Sequence, residues 1–445
     1  MYIKLIQPKM KKRPMDTDIK IRMAPSLGLF TVANILRSEH DVVIENENIK
    51  EITYDEPDIV GITVTVDTFP AAVQIAAKFR KKGIPVVAGG IHITTAYNTI
   101  PQDSFDVLCV GMAEGTWPDI IHDYKIGNLK KIYTCSKSIC GKDIIAPAYN
   151  IIKSGEYLYC NVVHTSRGCP FQCDFCYNSA KNHKYINREI EDVIEDIQAI
   201  GSKHIMFIDD NFAGNPAWTR KFLERIQPLK LKWNAAVSIN ITDDLDMLDL
   251  MKESGCQSLF IGFESINPNS IDKVHKIQND ISKYEKAIKA VHDRGIMINA
   301  SFVFGLDGDT KETFRYTLEW IVKNKIETVT SHILTPYPGT ALYERFEKED
   351  RITSKDLSLY NTAHVVFEPK RMSVEELYDG YLWIYKQIYS WKNIFRRMPK
   401  AKEQRPSYFM FNIFYRKYGK FTDFLCKCIT YKRIGRWGQK LSKYL

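Results

Sequence analysis

Strand-length apolar runs alternate with helix-length amphipathic runs from residue 2 to residue 334. This alternation restricts the fold more than any other feature of the chain. Strands separated by helical crossovers pair in parallel, and a parallel sheet needs helices packed on its faces. In the first series the expected strands are residues 2–7, 41–44, 59–64, 85–88 and 107–110. Residues 25–38, 68–82 and 117–124 have helical spacing, as in Leu27, Phe30, Val32, Ala33 and Leu36. The series predicts a doubly wound, Rossmann-like sheet, whose ligands bind beyond the carboxyl ends of its strands. Thr63, Thr65, Gly89, Gly90 and Gly111 stand at those ends.

A mixed connector over residues 125–159 contains Gly141 and Pro147. The second series then offers strands at 161–165, 204–208, 233–238, 258–263, 297–304 and 328–334. Helices are expected at 189–200, 244–254, 282–294 and 311–324. Six βα units predict a partial (β/α) barrel, with catalytic groups at the carboxyl ends of its strands. After about Gly339 the chain reads as helical, with aromatics at helical spacing over 374–389. The expected division is a first unit over 1–145, a barrel over 155–340 and a helical region over 341–445.

The chain has 10 cysteines in 445 residues. Neither a run of 18 apolar residues nor a signal-peptide pattern over residues 1–14 is seen, so a cytoplasmic, reducing location is expected. There a tight cysteine group reads as a metal site and scattered ones as buried thiols. Cys169, Cys173 and Cys176 lie within eight residues, in Ser166-Arg167-Gly168-Cys169-Pro170-Phe171-Gln172-Cys173-Asp174-Phe175-Cys176-Tyr177-Asn178. Three thiolates can hold three corners of an iron–sulfur cluster, which normally takes four ligands, leaving one iron open. Zinc with a distant fourth Cys or His is the alternative. The net charge of +9 belongs to the tail, where residues 392–445 carry 15 Lys or Arg against Glu403 and Asp423.

At the cysteine run the chain resembles the radical S-adenosylmethionine (SAM) superfamily, down to the aromatic Phe175 before Cys176. The resemblance implies that SAM chelates the open iron of a [4Fe–4S] cluster. An electron from a reductant such as flavodoxin or ferredoxin then breaks a carbon–sulfur bond, and the resulting 5′-deoxyadenosyl radical abstracts hydrogen from carbon. It further implies SAM contacts at Asp209 and Asp210 in Phe207-Ile208-Asp209-Asp210-Asn211, at Glu264 in Gly262-Phe263-Glu264-Ser265, and at Ser238. A helix cap is the plainer reading of the Asp209 and Asp210 pair. Phe304-Gly305-Leu306-Asp307-Gly308-Asp309-Thr310 is similar to the family's Gly-rich stretch, with Asp307-Gly308-Asp309 where relatives often have Pro-Gly-Glu. Asp309 also reads as a helix N-cap.

The first unit resembles the cobalamin-binding domain that precedes the radical SAM core in one subclass. The matching stretches are residues 25–29, 58–63, 86–92 and 110–115. The resemblance spans roughly residues 1–390, residues 335–340 included, and residues 367–372 are similar to the branch that contains hopanoid methylases. The Asp-x-His-x-x-Gly motif that ligates cobalt is not found, so the resemblance implies cobalamin without a protein His on the metal. His92 is then expected to line the cofactor face or make a structural hydrogen bond.

The implied activity is cobalamin-dependent methylation of an unactivated carbon. Cyclisation or carbon–carbon coupling is the enzymatic alternative, and an iron–sulfur or cobalamin-binding regulatory protein the non-enzymatic one. A small-molecule or lipid-like substrate is expected. No appended RNA-binding fold is evident, which argues against nucleic acid, and no substrate-side catalytic residue can be named. Aromatic and basic residues interleave from Tyr408 to Arg436. That pattern suits a peripheral contact with the inner face of the membrane, or aromatics packed on the barrel beneath a solvated charged face.

Overall fold

The computed structural model describes residues 1–135, 138–179, 184–271 and 274–429. The first six strands are β1 (Tyr2–Gln7), β2 (Asp41–Asn46), β3 (Ile59–Thr63), β4 (Val86–Gly89), β5 (Val107–Val110) and β6 (Ile132–Thr134). They form one parallel sheet in the order β2-β1-β3-β4-β5-β6. Ile3, Leu5, Ile59, Ile62, Val86 and Val107 are buried because helices cover both faces. Those helices include Leu27–Leu36, Phe69–Arg80 and Trp117–Lys125. The order of strands reverses between β1 and β3, the place where sheets of this kind open a ligand crevice.

The second series comprises β7 (Val162–Val163), β8 (Ser166–Arg167), β9 (Ile186–Asn187), β10 (His204–Phe207), β11 (Lys232–Val237), β12 (Cys256–Glu264), β13 (Met297–Phe304) and β14 (Thr328–Ile333). Six of these make a second parallel sheet in the order β14-β13-β12-β11-β10-β7, while β8 and β9 form a small antiparallel pair. With β7 and β14 left as edges, the barrel is partial. Helices Ile190–Ile200, Pro216–Ile226, Leu245–Glu253, Tyr284–Asp293 and Glu312–Lys323 cover its outer face.

Short elements of the first unit escape the sequence reading, among them the one-turn helix Asp18–Ile21. Helix Ile91–Ala96 is too short to show a period, and β6 is a three-residue edge strand inside the mixed connector. The expected strand at 161–165 contracts to Val162–Val163. The amides of Thr165 and Ser166 leave the ladder and donate to Asp209 Oδ1 instead. Helix Pro216–Ile226 starts where Asn215 accepts from Trp218 N at 3.2 Å and proline occupies the first turn.

The C-terminal region closes the β14 edge. Helix Val374–Ile388 begins with a reciprocal Ser373–Glu376 capping box and buries Leu377, Tyr381, Ile384 and Ile388 in the barrel core. Beyond it, Arg397 is fully buried (0 % exposed) and donates to the carbonyls of Ile326, Glu327 and Ile388 at 2.8, 2.9 and 2.7 Å. Asn412 Nδ2 donates to Glu327 O at 3.2 Å, and Tyr408 is buried beside it. The segment from Trp391 to Lys417 is thereby pinned across the start of β14. Among the described residues no helix is long and apolar enough to cross a membrane.

Candidate active site

The carboxyl ends of the first sheet and of β7 and β10 face one cavity of about 1310 Å³, with Gly168 and Asn178, which flank the three cysteines, on its wall. Ordinary small-molecule pockets are about 300–1,000 Å³, so this one admits a larger ligand or two together. The first sheet contributes Thr63, Gly89, Gly90 and Gly111, the end of β10 contributes Asp209 and Asp210, and β8 contributes Ser166 and Arg167. Gly90 has φ +103°, and a Cβ there would stand 2.9 Å from both the amide and the carbonyl of Val64. This wall of the cavity is therefore bare backbone, suited to a broad ligand face.

Thr65 does not line the cavity: its hydroxyl donates to Asp67 Oδ1 at 2.7 Å, in the turn before helix Phe69–Arg80. Nor does His92, which is buried with its ring edge-on to Phe69 at 5.4 Å. Burial pushes its imidazole down to about 4. Neither of its ring nitrogens has a hydrogen-bond partner among the described residues.

The cysteine loop grows from the β8–β9 pair. Gly168 has φ +79°, and a Cβ there would meet Lys184 O at 2.7 Å, so the turn into Cys169 requires glycine. Cys176 N donates to Cys173 O at 3.0 Å, and Asp174 N donates to Val274 O at 3.2 Å. Burial pushes all three thiols up, Cys176 to about 12, and the Cys169 and Cys173 charges add to the rise at Cys176. Lys276 opposes this at Cys169 and Cys173. The loop thus gathers three thiols that stay protonated until a metal takes the proton's place. Among the described residues no three Cys, His, Asp or Glu groups converge on a single ion. The donor set fits a cluster, in which each thiolate takes its own iron, better than zinc.

Asp209 holds this loop from below. Its Oδ1 accepts from Thr165 N, Thr165 Oγ1 and Ser166 Oγ at 2.9, 3.1 and 2.6 Å, and also from Ser166 N. Oδ2 is buried without a partner among the described residues, and burial raises the carboxyl to about 6. Asp210 lines the cavity beside it. Glu264 ends β12 with φ +61°, a strained value for a residue with a side chain, costing about 1–3 kcal/mol. Its carboxylate pairs with Lys276, which also donates to Gly262 O at 3.0 Å. Ser238 lies apart, in a smaller recess with Asn211 and Asp244. Asp309 is not a helix cap; its Oδ2 accepts from the amides of Gly305 and Leu306, both at 3.1 Å, and closes the turn after β13.

Three contacts lie beyond sequence reasoning, and the first of them joins the two units. Arg167 forms a two-pronged bridge to Glu114 at 2.9 and 2.7 Å. Tyr177, next to Cys176, stacks on Tyr337 with ring centroids 4.2 Å apart. Lys276 reaches Glu264 from 12 residues away. Each pairs common residue types across a separation that no periodicity marks.

Residues 163–321 match the radical SAM superfamily, and residues 340–408 match a domain of unknown function, DUF4070. The chain is 29 % identical over 410 residues to bacteriochlorophyllide d C-12(1)-methyltransferase of Chlorobaculum tepidum, covering 88 % of each. It is 26 % identical to hopanoid C-2 methylase of Rhodopseudomonas palustris, covering 77 % of this chain and 68 % of the relative. Among solved structures it resembles the cobalamin-dependent SAM radical enzyme OxsB with aqua-cobalamin and SAM bound. The TM-score is 0.68 at 14 % identity, over 96 % of this chain and 72 % of the other.

Replacing Cys169, Cys173 and Cys176 together with Ala should abolish the iron and sulfide taken up on anaerobic reconstitution. Folding, read by circular dichroism, should be retained. Iron bound in the triple variant at the unmodified level would show that the cluster sits elsewhere.

Proposed function

Since residues 163–321 belong to the radical SAM superfamily, we propose that this chain is an enzyme that methylates an unactivated carbon. In this reading residues 155–340 carry a [4Fe–4S] cluster on Cys169, Cys173 and Cys176 together with SAM. Residues 1–145 hold cobalamin, and of the helical region 341–445 the described part, up to residue 429, closes the barrel edge. The observation that carries the reading is the cavity shared by the strand ends of the first sheet and by the ends of β7 and β10, with Gly168 and Asn178 beside the cysteines on its wall. The cluster and SAM, when bound, supply a 5′-deoxyadenosyl radical, and cobalamin supplies the methyl group.

The chain's own residues place and enclose these groups. The bare backbone at Gly89, Gly90 and Gly111 fits the cofactor face. The buried, uncharged His92 leaves cobalt without a protein nitrogen. Asp210 and the Oδ2 of Asp209 suit the ammonium of SAM, while Glu264 suits its ribose hydroxyls; Ser238, in its separate recess, is left without a role. The Tyr177–Tyr337 stack keeps water from the cysteine loop. A one-electron donor of the flavodoxin or ferredoxin kind completes the system.

Anaerobic turnover of a metabolite extract with methyl-labelled SAM, reductant and cobalamin should place label on a carbon-bound methyl group, read by mass spectrometry. Product formed without label would move the enzyme to cyclisation or coupling. Absence of 5′-deoxyadenosine would remove the enzymatic reading.

We also propose peripheral membrane contact through the C-terminal region. Phe395, Phe421 and Phe424 are 57 %, 56 % and 60 % exposed, and Trp391 stacks on Phe395 among basic residues. Each basic side chain near an anionic surface contributes about 1 kcal/mol. The full-length chain should sediment with anionic liposomes, and a Phe395→Ser/Phe421→Ser/Phe424→Ser variant should lose at least half of that binding. Equal sedimentation of the two would contradict the contact.

A further inference from the structure

We propose that the flank of the partial barrel beside β14 is the recognition site for a carboxylate of the substrate, received by Arg416 and Lys20. This rests on the enzymatic reading above and adds a substrate class to it. Charge accounting carries the inference. A buried cation needs an anion or a full set of acceptors. Among the other enclosed cations, Arg188 pairs with Asp196 and Arg351 with Asp307; Arg397 has no anion and an unpartnered Nε among the described residues, but its two terminal nitrogens reach three carbonyls and Asn412 Oδ1.

Arg416 has neither. Its guanidinium sits among the rings of Tyr385, Tyr389, Phe411 and Tyr415 at 5.8, 5.8, 5.1 and 5.2 Å. It donates to Thr330 Oγ1 at 3.3 Å, while Nε is buried without a partner. Among the described residues no carboxylate lies within ion-pair distance of it. Lys20 points at the same place. It donates to Tyr385 OH at 3.2 Å and to Met15 O, and lies over the rings of Tyr385 and Tyr415 at 5.4 and 5.9 Å. It too lacks an ion-pair partner among the described residues. Burial, then the Arg416 charge, pushes its ammonium down to about 7. Two cations thus share one cluster of aromatic rings; Asp16 and Asp423 act on Lys20 from a distance, but neither stands within ion-pair reach of it or of Arg416.

Polar side chains line the inner face of the barrel beside these cations. Barrel interiors are usually filled by bulky branched side chains. Here Ser258 Oγ bonds Asn234 Oδ1 at 2.8 Å, and Thr330 Oγ1 bonds Asn299 Oδ1 at 3.4 Å, a polar belt that ends at Arg416. His332 follows Thr330 on the same face of β14, its Nδ1 3.1 Å from Thr362 Oγ1. The charge of Arg13 acts on both His332 and Tyr337, and Tyr337 stacks on Tyr177 beside Cys176. A carboxylate seated at Arg416 would direct the rest of its molecule along the barrel toward the cluster.

The test uses the full-length, cluster-reconstituted chain with 2-naphthoate as probe and 2-naphthamide as its neutral match, read by calorimetric titration. Naphthoate should bind saturably and about tenfold or more tighter than the amide. Arg416→Gln should remove that preference, Arg416→Lys should recover part of it, and Lys20→Met should weaken the acid but not the amide. Equal binding of acid and amide, no binding of the acid, or a preference unchanged in Arg416→Gln and Lys20→Met would overturn the proposal. If Arg416→Gln does not fold, Lys20→Met alone decides. No turnover is involved, so failure of methyl transfer would leave this result standing, and the converse also holds.

Discussion

Arg167 and Glu114 meet through two parallel hydrogen bonds, one residue from the loop after β5 and the other two positions before Cys169. Glu114 is 3 % exposed and Arg167 25 % exposed, so the pair is largely withdrawn from water. Removing one member of such a pair strands the other and is destabilising by about 3–5 kcal/mol. The bridge fixes the cysteine loop against the first sheet, and the cavity takes its shape from that attachment. Gly90, Asp210 and the cysteine loop can serve one reaction only if the sheets keep this spacing, since misplacement by about 1 Å can slow a reaction a hundredfold.

Burial sets the chemistry of the loop in a second way. Thiols pushed up in pKa remain protonated at neutral pH, so metal uptake must release those protons. Asp209 gathers the amides of Thr165 and Ser166 on one carboxylate oxygen, which stiffens the start of the loop. Strain at Glu264 is held by its pairing with Lys276, whose charge also reaches Cys169 and Cys173. The energy of packing in the barrel is thus spent on a rigid, charge-balanced rim.

The alternation of strand and helix made the sheets legible, and strands such as Tyr2–Gln7, Val107–Val110 and Met297–Phe304 fall where the apolar runs place them. The cysteine spacing was legible because three thiols in eight residues have few other uses. Local periodicity is silent on long-range pairs. Nothing near Arg167 announces Glu114, 53 residues away, and nothing near Arg416 announces Thr330, 86 residues away. The tail shows this most clearly. Its aromatic and basic residues read alike whether packed or solvated, and the structure divides them. Tyr408 and Asn412 are buried, whereas Phe421 and Phe424 are exposed. His92 sits next to a glycine pair at a strand end, yet the start of helix Ile91–Ala96 turns its ring into the core beside Phe69.

The central claim is that the cavity brings a cobalamin on the first sheet and a cluster on the cysteine loop into one chamber. Electron paramagnetic resonance of the Co(II) form of bound cobalamin tests it directly. If the two groups share the chamber, reducing the cluster should broaden the cobalt signal and speed its spin relaxation, and both effects should vanish in the triple Cys→Ala variant. A cobalt signal that relaxes identically with the cluster oxidised, reduced or absent would contradict the account.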